Sequence, residues 1–230
     1  MMFILSRTND NETHSKKWIL GYGLLFWLIT RILAVILLLA CTAIYNSFGI
    51  NPEKLTSFGG DPANVKSVFS FGYGFMVILL IAPVLEECIF RLGLSFKKWH
   101  ISIAAAAIPA YMLFQGIGRI PLPEVLILAG AAIMAFCIIY FLTSQKFWDR
   151  QKQRYFKQTV WLTSIAFGLI HLIAFSNHSL ILLPYMLCVI TVPFLAGCAI
   201  TYYRLNLGFW WGVGLHIFNN LPAIVMMSAL

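Results

Sequence analysis

From Trp18 to Tyr45 the chain runs through one apolar stretch in which Arg31 is the only charged residue. An α-helix needs about 20 residues to cross the hydrocarbon core of a bilayer, and this run exceeds that. It is also too long for the core of a signal peptide, so it reads as a retained membrane helix. Further apolar runs at 68–96, 100–117, 123–143, 159–176, 180–202 and 207–228 bring the expectation to about seven helices. Of the 230 residues 60% are hydrophobic and only 10% charged, with a mean hydropathy of +0.84, whereas a soluble domain is about one quarter charged. Membrane β-barrels alternate over segments of about 10 residues, and no such alternation is present. The fold class expected is all-α: a polytopic helical membrane protein, with a polar tail at 1–17 and a single membrane domain at 18–230.

A net charge of +8 raises nucleic acid as a partner, but the basic residues sit in short links between apolar runs, where they mark membrane topology instead. With the N-terminus cytoplasmic, the inside segments hold Arg7, Lys16, Lys17, Lys97, Lys98, Lys146, Arg150, Lys152, Arg154, Lys157 and Arg204. The outside segments hold only Lys54, Lys66 and Arg119. That asymmetry places the N-terminus inside and the C-terminus outside. The run Lys146–Lys157 reads as a cytoplasmic loop near anionic lipid. The loop 46–66 carries turn signals at Pro52, Gly59-Gly60 and Asp61-Pro62. The five cysteines lie inside apolar runs with no CxxC, which indicates neither a disulfide framework nor a zinc site.

Against this background Glu86-Glu87 and Arg91 are conspicuous, because ionisable groups inside a membrane-type segment are costly and mark function by default. Residues four apart share a helical face and adjacent ones diverge by about 100°. Glu87 is therefore set to pair with Arg91, and Glu86 points elsewhere. The fifth helix carries Phe167 and His171, and the seventh carries His216 and Asn220 on one face. At 1.5 Å per residue, Glu86, His171 and His216 fall roughly 15, 18 and 14 Å from the cytoplasmic ends of their helices. Groups at similar depth can meet. A carboxylate and an imidazole around one water form a general-base pair, while a second imidazole and a carboxamide can donate to a developing oxyanion. Peptide hydrolysis uses both functions. The same Glu and His residues could instead ligate a divalent ion such as zinc, but there is no HExxH and Glu87 is assigned to Arg91.

Three motifs, Glu86-Glu87 with Arg91, Phe167 with His171, and His216 with Asn220, stand in the order found in the CAAX protease and bacteriocin-processing (CPBP, or Abi) family, which the chain resembles. Tyr203-Arg204 and Gly208 ahead of His216 add to the likeness. The resemblance implies an intramembrane endopeptidase similar to type II CAAX prenyl proteases. In that reading Glu86 and His171 activate water, and His216 and Asn220 stabilise the oxyanion. Glu87, Arg91 and Phe167 support the site, and no metal or other cofactor is required. One departure is the long gap between Glu87 and Phe167, where the helices at 100–143 look like an inserted hairpin. The resemblance covers roughly half the chain.

The expected partners are membrane lipid and a hydrophobic or lipidated peptide substrate, with no nucleic acid, in a prokaryotic cell membrane. Two other classes remain open: a non-catalytic immunity or scaffold protein of the same fold, and a small ion-coupled transporter using the same polar residues as an ion path. No repeat of the hydropathy pattern favours the transporter.

Overall fold

The computed structural model of the protein describes residues 15–51, 77–115, 120–174 and 180–228. Among these residues there are seven α-helices and no strand. They are α1 (Lys16–Ser47), α2 (Ala82–Phe90), α3 (Lys98–Gln115), α4 (Leu122–Leu142), α5 (Gln145–Leu169), α6 (Leu183–Leu207) and α7 (Phe209–Ser228). Their order is the one expected from the apolar runs. The segment 46–66 lies outside the described residues beyond Asn51, as do 68–76 of the expected second helix and Arg119.

Among the described residues three stretches are long and apolar enough to cross a membrane: Lys16–Ser47, Leu122–Leu142 and Leu180–Leu207. The remaining α-helices are shorter or more polar. Among the described residues the second helix, expected to run to Phe96, is α-helical over Ala82–Phe90, after a π-helical turn at Val77–Ile81. Beyond Arg91 it tightens into a 3₁₀ turn, Leu92–Ser95, and stops at Phe96, whose φ of 55° is left-handed. Gly93 weakens a helix at that point.

The basic run expected as a loop is helical. Ser144 Oγ accepts the N–H of Phe147, and the Ser144 carbonyl accepts that of Trp148, which is how a serine caps a helix N-terminus. Gln145 Nε2 then donates to Asp149 Oδ1 one turn on. Lys, Arg and Gln are good helix formers, so α5 extends unbroken from Gln145 through the basic stretch into the apolar one. It ends at Leu169, and the chain continues as a 3₁₀ helix over Ile170–Ala174. The fifth helix therefore starts 14 residues earlier than the expected 159.

The contacts fall into two compact units, 1–75 with 164–219 and 76–163 with 220–230. In the first, α1 packs along α6 in antiparallel fashion. Ile19 near the start of α1 lies in a buried cluster with Ala199, Ile200, Tyr202 and Tyr203 near the end of α6. Cys41 and Tyr45 near the end of α1 join Leu182, Tyr185 and Met186. A tyrosine hydroxyl fastens each end, Tyr203 to the Leu20 carbonyl and Tyr45 to that of Ile181. Gly23 permits the approach: a Cβ there would stand 2.1 Å from Tyr203 Cε2. Arg31, on the same helix, has its Nε buried with no hydrogen-bond partner among the described residues.

In the second unit α3 packs against α2 and α4. Gln145 ties the loops together, accepting the N–H of Lys98 and donating to the Phe96 carbonyl. A cavity of about 320 Å³ opens beside Phe90, Leu94, Phe96, Trp148 and Tyr155. Neither Glu86 nor the residues of α3 beyond Ile101 line it.

Candidate active site

The carboxylates belong to the second unit. Arg91 Nη1 lies 2.7 Å from Glu87 Oε1, and both side chains are 0% exposed. This is the pair that helical spacing dictates. Glu86, the next residue, is only half-buried and turns to a different neighbour. The Tyr111 hydroxyl donates to Glu86 Oε1 at 2.8 Å. Tyr111 is on α3, two residues after Pro109, and nothing in the sequence singled it out. A tyrosine 25 residues away carries no periodic signal linking it to Glu86.

The histidines belong to the first unit. His171 is in the 3₁₀ turn that follows α5 rather than in an α-helix. The last carbonyls of an α-helix lack their usual N–H donors. His171 reaches back to one of them, with Nδ1 2.8 Å from the Phe167 oxygen. A carbonyl only accepts, so Nδ1 carries the proton and the lone pair of the neutral ring lies on Nε2. Phe167, 2% exposed, holds both imidazoles by its ring. Its centroid is 5.3 Å from that of His171 and 5.4 Å from that of His216, both edge-on. His216 is itself 2% exposed. Such edge-to-face contacts are worth about 0.5–1.5 kcal/mol beyond area burial. Phe167 is thus the common neighbour of the two histidines.

Asn220 lies one turn beyond His216 on α7 and is half-buried. Its neighbour Asn219 has a defined role: its Oδ1 accepts the indole N–H of Trp27 on α1 at 3.1 Å. Trp27 also packs against Phe218 at 5.1 Å between ring centroids. Gly168, beside Phe167, lets α5 approach α6, since a Cβ there would stand 2.9 Å from Phe194 Cβ and 3.2 Å from the Ile190 carbonyl.

The structure therefore gathers Phe167, His171 and His216 in one unit, and Glu86, Glu87, Arg91 and Tyr111 in the other. The depth expected for His171 is revised, because α5 begins at Gln145 rather than 159 and runs roughly 36 Å to Leu169 before His171 is reached. Glu86 is only about 6 Å, one turn, from the end of α2. Among the described residues no three His, Cys, Asp or Glu side chains are grouped to hold a metal ion. No protein-family model, curated protein or solved structure matches the chain.

Proposed function

We propose that the chain is an intramembrane endopeptidase that hydrolyses a peptide bond of a hydrophobic or lipidated peptide. Its seven helices cross the membrane with the N-terminus cytoplasmic, in accord with the basic residues of the inside segments. The basic first half of α5 then projects into the cytoplasm, and the depth of His171 is counted from its apolar half. Glu86 takes a proton from water while Nε2 of His171 accepts a hydrogen bond from the same water, and the resulting hydroxide attacks the scissile carbonyl. His216 and Asn220 donate to the oxyanion, and the proton passes to the leaving amine as the C–N bond breaks.

The observation that carries this reading is the grouping of His171 and His216 against Phe167, with His171 held in the tautomer a base requires. The resemblance to the CPBP family, motif by motif, points the same way. The test offers purified protein fluorogenic peptides with and without a lipid anchor. Glu86→Ala and His171→Ala are each expected to lower kcat by about 10²–10⁴-fold, the range of general acid–base catalysis. Cleavage that survives either change would sink the mechanism. Loss of cleavage with a chelator and its return with zinc would replace it with a metallopeptidase. Ion flux in liposomes without cleavage would point to transport.

A further inference from the structure

We infer that Tyr111 is the positioning residue for Glu86, and that α3 with its partner α4 is thereby part of the catalytic apparatus rather than an appended hairpin. The inference rests on the reading of Glu86 as the water-activating carboxylate. It starts from a contrast between neighbours. Glu87 is completely buried and paired with a cation on its own helix. Glu86 is half-buried and accepts a hydrogen bond from a neutral phenol on a different helix.

The chemistry of the partner fits the task of a base. The terminal torsion of a glutamate is broad, so the plane of its carboxylate is loosely set without a donor. The Tyr111 hydroxyl fixes Oε1 and with it the plane in which the carboxylate meets water. A phenol orients the carboxylate without cancelling its charge, as a nearby guanidinium would. Tyr111 can do this because α3 packs directly on α2, and because the residues after Pro109 remain helical through Gln115. The helix pair that lengthens the gap between Glu87 and Phe167 would then be needed for full activity.

Tyr111→Phe keeps the ring and removes only the donor. In the peptide-cleavage assay it is expected to lower kcat by about 10- to 100-fold with KM within about twofold, the mark of an interaction made in the transition state. A second readout needs no substrate. The infrared carboxylate band that disappears in Glu86→Ala is expected to shift in Tyr111→Phe, and a variant that packs normally but loses the hydrogen bond gives this shift with unchanged melting. An unmoved band overturns the inference. So does wild-type kcat in Tyr111→Phe alongside inactive Glu86→Ala, or a raised KM with kcat preserved. Full activity in Glu86→Ala overturns the reading of the site itself, which separates the two failures.

Discussion

Glu86 and Glu87 are identical side chains one position apart, and their surroundings make them different groups. Glu87 is fully buried against Arg91, where removing one partner strands a charge away from water. Glu87→Gln or Arg91→Met is therefore expected to cost about 3–5 kcal/mol, read as a loss of unfolding free energy in detergent, whereas Glu87→Leu with Arg91→Met recovers most of it. A double variant as unstable as the singles would show that the charges do more than neutralise each other. This pair was legible in the sequence because an i, i+4 contact is local. Tyr111, the partner of Glu86, was not, because only packing of α3 on α2 brings it there. The same holds for Asn219: the sequence drew attention to Asn220 by its spacing from His216, while the bond to Trp27 belongs to the neighbouring residue.

The helices repeat the pattern. Their existence follows from apolar length, but their boundaries respond to local chemistry that hydropathy does not weigh. The Ser144 cap and the Gln145–Asp149 bond start α5 inside what charge alone suggests is a loop. The serine just ahead of a run of good helix formers was the signal that could have found it. Close approach between helices gives a second test. Gly23→Ala and Gly168→Ala place a Cβ 2.1 Å from Tyr203 and 2.9 Å from Phe194, and each is expected to destabilise by about 1–3 kcal/mol through overpacking. Gly21→Ala, on the same helix as Gly23 with nothing within 4 Å, is expected to be neutral or to stabilise by up to about 1 kcal/mol, since glycine is the weaker helix former. Thermal unfolding of the three variants checks this order, and equal effects would mean that intrinsic propensity, not contact, sets their stability.

On the scale of the molecule, the surface itself argues for lipid. No described residue of α4 is buried, and Leu126, Ile127, Ile133 and Phe141 are each well over half exposed. Leu25, Ile32, Leu33 and Leu39 along α1 are each more than half exposed. In water such continuous apolar faces promote aggregation, whereas hydrocarbon solvates them and a helix satisfies its own backbone there. Under the proposed topology a reporter inserted near Gln153 is expected inside and one fused after Leu230 outside. A cytoplasmic signal from the latter would refute the seven-span arrangement. What the sequence determined by itself is the all-helical class, the order of the α-helices among the described residues and the Glu87–Arg91 pair, because length, composition and i, i+4 spacing act within a few turns of one chain segment. What only the tertiary structure decided is that Phe167 joins the two histidines and that Tyr111 holds Glu86. Those depend on which side chains meet across helices, and a contact between segments distant in sequence leaves no period for a reader to find.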